Sequence, residues 1–124
     1  MLGRKIKKLK NWLQNRHNLQ LFRLRLAEDR QKTALYRAVL ISHELSATGA
    51  PLMLLAAAEA ILADGGSVRV LAYMDGPLRE KFEKLGIPVF YHPGFRVNAR
   101  LLNEFGVDCA YAVANTAVAY PAVS

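Results

Sequence analysis

Cysteine is almost missing from this chain, with Cys109 the only one in 124 residues. That excludes an intramolecular disulfide framework and a cysteine-only zinc site, and Cys109 itself reads as a small buried hydrophobe in a strand. Long apolar runs are missing too. No stretch approaches the ~20 residues of a membrane span, and the basic N-terminus is not followed by the unbroken apolar core of a cleaved signal peptide. A reducing cytoplasm is the expected compartment. The glycine fingerprint G-x-G-x-x-G and the Walker lysine are both absent, which counts against hydride transfer with a nicotinamide and against P-loop hydrolysis. His17, in the arm, and His92, in a turn, have no partners at metal-ligand spacing, so no metal is expected, and no cofactor either.

What is present starts with charge, and it is unevenly placed. Residues 1–37 hold eleven Lys/Arg against Glu28 and Asp29, a balance of +9, whereas residues 38–124 hold six against eight acids, a balance of −2. The basicity therefore belongs to an N-terminal arm, which is expected to meet something anionic: lipid headgroups, nucleic acid or an acidic partner. The arm has helical character from about Arg4 to Arg30. Leu2, Ile6, Leu9 and Leu13 share one face at 4-3-4 spacing, and Leu19, Phe22 and Leu26 continue the period, widened by Leu21 and Leu24. Lys5, Lys7, Lys8, Lys10 and Arg16 surround the stripe and Trp12 lies beside it. Such a helix can lie flat on an anionic membrane, at the inner face of which the protein would then sit as a peripheral component. It can equally pack on its own domain or on a partner. Binding of nucleic acid rests on charge alone.

From residue 38 the pattern becomes alternating strand and helix. Apolar residues make up 52% of the chain, enough for a packed core. Ala38–Ser42 reads as a strand. Pro51 opens an alanine- and leucine-rich helix that is apolar nearly all round and is expected to be well buried. Gly65 and Gly66 end it. Val68–Tyr73 is a second strand, Asp75-Gly76-Pro77 begins a second helix with Leu78, Phe82 and Leu85 inward, and Gly86 stops it. Ile87–Tyr91 is a third strand, Val97–Phe105 a third helix, and Val107–Ala114 a fourth strand before Asn115 and Thr116 begin another helical turn. Alternation with short connections predicts a parallel α/β sheet, partly Rossmann-like, of strand order 3-2-1-4. The domain organisation expected is an arm over 1–37 and an incomplete Rossmann-like domain over 38–124, with an open sheet edge that invites association.

In that order the loops after the first and fourth strands face each other across a crevice. The first loop, His43 to Ala50, ends at a helix N-terminus near Thr48, Gly49 and Ala50, which can receive a phosphate or a hydroxyl-rich ligand. Alternatively, Gly49 merely permits the turn and Thr48 caps the helix. His43 can serve as a base or bond a sugar hydroxyl, and Glu44 can orient it or stabilise the loop. Asn115 can donate to and accept from sugar or phosphate, and can equally cap the last helix together with Thr116. Arg96 and Arg100 can attract an anion or simply be solvated.

SHELSATGAP, then DGPLREKFEKLGIPV, then VDCAYAVANTAVAYPAV, in that order, resemble the N-terminal domain of glycosyltransferase family 4 enzymes over residues 38–124. The resemblance implies the GT-B arrangement, two Rossmann-like domains facing across a cleft, with the acceptor on the N-terminal domain and the nucleotide-sugar donor on the other. It implies transfer with retention, usually without a metal. By position, Gly49 and Ala50 match the glycine loop near the donor diphosphate, with Thr48 where many members have a second glycine. Asn115 and Thr116 match the site-facing end of the fourth strand. No catalytic residue is carried over, since the histidine that some relatives have there is absent. The donor domain is not in these 124 residues, so the chain is expected to be a truncated acceptor-side segment, inactive alone, in the synthesis of a polysaccharide or a lipid-linked glycan. Nucleotide-sugar and glycan acceptor are partners only if a donor domain completes it. A non-catalytic module whose basic arm binds a membrane or a partner is the alternative.

Overall fold

The computed structural model describes residues 2–92 and 99–114. Helix α1 (Leu2–Gln31) is followed by strand β1 (Arg37–Ser42), α2 (Gly49–Ala63), β2 (Ser67–Ala72), α3 (Leu78–Lys84), β3 (Val89–Tyr91), α4 (Ala99–Gly106) and β4 (Tyr111–Ala114). The four strands form one sheet in the order β3-β2-β1-β4, and every pairing is parallel. The expected topology is therefore the observed one. Gly65 and Gly86 sit at φ 88° and 79°, the left-handed conformation that lets α2 and α3 stop within a residue or two.

Alternation along the strands sends side chains to two cores, as the period of two requires. Leu40, Val68, Val70, Ala72 and Val89 meet Leu54 and Ala58 of α2 and Leu78 and Phe82 of α3. Val39, Ile41, Leu71, Tyr73 and Phe90 point the other way and meet Phe22 and Leu26 of α1 and Phe105 of α4. On that face Phe22 lies 4.8 Å from Phe105 and 5.5 Å from Phe90, ring centre to ring centre, within the range in which tilted and edge-on aromatic pairs attract. The molecule is thus a helix–sheet–helix sandwich, and α1 is one of its slices.

Four expectations need correction. The apolar stripe of α1 is not continuous: Leu13 and Phe22 are nine residues apart, about two and a half turns, so they lie on opposite sides of the helix. Phe22 and Leu26 are buried, whereas Leu2, Ile6, Leu9, Leu13 and Leu24 are 47–74% exposed. The second half of the helix packs on its own domain; the first half does not. Second, α2 is apolar nearly all round but not buried all round, since only one side faces the sheet and Leu52 and Met53 remain exposed. Third, β4 starts at Tyr111, so half-buried Cys109 precedes the strand, and burial first of all pushes its thiol pKa up. The helix opening on Pro51 also begins two residues earlier, at Gly49.

A charged cluster fastens the C-terminal end of α1 to the sheet. Arg69, in the middle of β2, has no exposed surface. Its Nη1 donates to Asp108 at 2.6 Å and to the Phe105 carbonyl at 2.8 Å, and its Nη2 donates to Asp29 and to Asp108, each at 3.1 Å. Ser67 Oγ donates to Asp29 at 2.6 Å. Arg37 Nη2 donates to the carbonyls of Asp29, Arg30 and Lys32, taking up the acceptors that the end of a helix leaves over. Burial alone would raise the Asp108 pKa, but hydrogen bonds from Arg69 and Arg30 outweigh it and hold the carboxyl at about 2.

Candidate functional site

Parallel strands all end on one rim, and the loops that leave them there line any crevice the sheet offers. Here that rim carries His43 to Thr48 after β1, Tyr73 to Pro77 after β2, His92 after β3, and the end of β4. Because Ile41 pairs with Ala114, the ends of β1 and β4 lie side by side. The expected crevice partners after β4, Asn115 and Thr116, lie outside the described residues, as does Arg96; Arg100 is exposed on α4.

The loop after β1 is internally braced. Ser42 Oγ donates to the Glu44 carbonyl, Ser46 Oγ donates to the Glu44 carboxylate at 2.9 Å, and the hydroxyls of Ser46 and Thr48 are 2.8 Å apart. Glu44 is thus the loop-stabilising member of the His43–Glu44 pair. Leu45, fully buried, plugs the loop into the core. The loop after β2 backs it: Leu78 N–H donates to the Leu45 carbonyl at 2.9 Å, and Met74 N–H to the His43 carbonyl at 3.1 Å. A Cβ built on Gly76 would collide with the Leu45 carbonyl and come within 2.9 Å of Ser46 N. Gly76 therefore lets two backbones touch, and this contact fixes the height of the first loop above the sheet.

His43 is half-buried with its ring edge-on to Tyr73, 5.9 Å between centres, and its Nδ1 is buried with no hydrogen-bond partner. Thr48 occupies the N-cap position in extended conformation (φ −121°, ψ 176°), but its side chain makes no capping hydrogen bond. Leu52 N–H reaches the Thr48 carbonyl at 3.0 Å and Pro51 has no N–H, so the N–H groups of Gly49 and Ala50 are those that α2 cannot satisfy itself. Nothing lies within 4 Å of a Cβ placed on Gly49. The end of α2 consequently presents two backbone donors and the positive end of the helix dipole, with room for a side chain at Gly49.

Of the residues singled out in the sequence, His43, Thr48, Gly49 and Ala50 gather on this one loop. The arm residues Lys5, Lys7, Lys8, Lys10, Trp12 and Arg16 stay exposed on the first half of α1, with the Arg16 guanidinium 5.4 Å over the Trp12 ring. Gly76 and Tyr73 were not singled out, because a glycine in Asp-Gly-Pro reads as a turn and a tyrosine closing a strand reads as core. Among the described residues no group of three His, Cys, Asp or Glu side chains could hold a metal ion, and no helix is long and apolar enough to cross a membrane.

A four-stranded parallel sheet in the order β3-β2-β1-β4, with helices packed on both faces, defines a Rossmann-like α/β domain. Residues 35–124 match the model of glycosyl-transferase family 4, and the chain belongs to that family. No curated protein and no solved structure matches it. The match starts after α1, so the helix that covers one face of the sheet lies outside the matched region.

Proposed function

We propose that residues 35–124 are the acceptor-side domain of a retaining glycosyltransferase that moves a sugar from a nucleotide-sugar to a glycan or lipid-linked acceptor. What carries this reading is the family match together with the strand-end loop, where α2 leaves the N–H groups of Gly49 and Ala50 without an intrahelical partner and a side chain at Gly49 would meet nothing within 4 Å. In that role the helix end meets the donor diphosphate from across the interdomain cleft. His43, on the same loop, bonds an acceptor hydroxyl. A donor domain must supply the nucleotide site. Holding donor and acceptor together provides much of the rate in such reactions, so this chain alone transfers no sugar.

The test is a nucleotide-release assay with uridine, guanosine and adenosine diphosphate sugars. The purified chain should release no nucleoside diphosphate above background. Joined to a family 4 donor domain it should support sugar incorporation, and Gly49→Glu, which places a carboxylate where the diphosphate comes, should abolish it while leaving the circular dichroism spectrum unchanged. Turnover by the chain alone, or full activity of the joined protein carrying Gly49→Glu, would overturn the proposal. The non-catalytic alternative gains support from β4, whose Tyr111 and Val113 are 59% and 45% exposed at the edge of the sheet, a surface suited to a protein partner. Absence of transfer in the joined protein with every donor sugar would favour it.

A further inference from the structure

We infer that the outer face of α1 is a docking surface for an anionic lipid bilayer, which holds the strand-end rim close to the membrane. The half-turn offset within the helix carries the argument. Asn18 bonds the Tyr91 hydroxyl at the end of β3, and Asp29 accepts from Ser67 at the start of β2, so α1 runs antiparallel to the strands. Asn11, Asn15, Tyr73, Met74, Asp75 and Tyr91 line one cleft, which places Asn11 level with the strand ends. Residues 2–10 therefore project past the rim by about 13 Å at 1.5 Å per residue. Along this projecting part Leu2, Ile6 and Leu9 form a stripe turned away from the sheet, and Leu13 and Leu24 extend it along the docked part; all are exposed.

The occupant of that stripe is set by its surroundings. On an ideal helix Lys5 and Arg16 flank it on one side and Lys10 on the other, where their stems can lie along the lipid and their charges reach the headgroups. Trp12, 54% exposed beside the stripe, has the amphipathic ring that favours the interface. The helix has no acid before Glu28. A second copy seated on the same stripe would bring Lys5, Lys10 and Arg16 against their own kind with nothing to neutralise them. An anionic bilayer supplies both the apolar layer and the opposite charge. With α1 on the surface, the sheet stands about one helix diameter, 10–12 Å, above the lipid.

The experiment uses the full chain with vesicles of phosphatidylcholine alone or with 30% phosphatidylglycerol. Trp12 is the only tryptophan, so its emission reports directly. Expected are a blue shift and co-sedimentation with the anionic vesicles, weak binding to the neutral ones, and loss of binding in 0.5 M NaCl. K5Q/K10Q should weaken binding about 25-fold, roughly fivefold per cation. L9E/L13E, at exposed positions, should weaken it a hundredfold or more with an unchanged circular dichroism spectrum. Binding indifferent to anionic lipid, binding retained by L9E/L13E, or a concentration-dependent dimer that masks Trp12 would each overturn the inference. Sugar transfer is not read in this assay, so its outcome is separate from that of the proposed activity.

Discussion

Replacing Arg69 by methionine should cost about 3 kcal/mol of stability. Its guanidinium is fully buried and makes four hydrogen bonds, three of them to Asp29 and Asp108. Breaking a buried pair by removing one partner typically costs about 3–5 kcal/mol, because the other charge stays behind unpaired. Here Asp108 keeps Arg30, Asp29 keeps Ser67, and both stay within 4 Å of Arg37, so neither carboxylate is left wholly unpaired, which places the loss at the lower end. Methionine keeps most of the apolar stem, so little cavity is added to that figure. With a urea m-value of about 1.5 kcal/mol/M, 3 kcal/mol moves the midpoint by roughly 2 M. A midpoint shift under 0.5 M for R69M (on the order of 0.75 kcal/mol at that m-value) would refute the view that charge pairing fastens α1 to the sheet.

Gly76→Ala should destabilise by about 1–3 kcal/mol, since the new methyl meets the rigid Leu45 backbone, and should speed amide exchange over residues 43–49. Gly49→Ala is its control: with open space and a helical position it should cost nothing measurable by thermal melting, and an equal loss for both would refute the brace. The Asp108 carboxyl titrates lower in the folded chain, at about 2 against 3.8, so the unfolded chain binds more protons as the pH falls. Its share of stability is complete above pH 4 and disappears toward pH 2; allowing for screening by water it is about 1 kcal/mol, and D108N should flatten the pH profile in that window. Phe22→Ala removes the ring that touches both Phe90 and Phe105 and should cost about 3–5 kcal/mol in urea denaturation; a loss below 1 kcal/mol would mean that α1 is not docked in solution.

The sheet was legible because its signals are local. Short apolar runs, glycines at the helix ends and short connections mark each strand and helix where it stands, and alternation alone demands parallel pairing. The loop after β1 was legible for the same reason. Arg69 was not: one arginine in SVRVLA gives no hint of its partners, which lie 40 residues before it and 39 after it. Gly76 was equally hidden, since its contact with Leu45 exists only once two loops have met. The misreading of α1 has a different origin. Its two runs each keep helical spacing, and only the interval from Leu13 to Phe22 carries the change of face.

That interval has a consequence for the rim. A 30-residue helix is about 45 Å long, whereas a six-residue strand spans about 20 Å, so a helix docked antiparallel on this sheet must overhang its strand ends. Had one apolar stripe run its whole length, the leucines of the overhang would face the same way as Phe22 and lean over the strand-end loops, where they would close the crevice. Instead the positions in phase with Phe22 are Arg4, Lys8, Asn11 and Asn15. The overhang therefore shows the rim a polar, basic side, compatible with an anionic ligand at Gly49, and turns its apolar side outward. The Arg69 cluster at the far end sets the direction of this lever, since Asp29 and Arg30 are the residues of α1 that it holds. Loosening that cluster should uncouple the two faces: the first half of α1 would still find lipid, but no longer keep the rim at a fixed height above it.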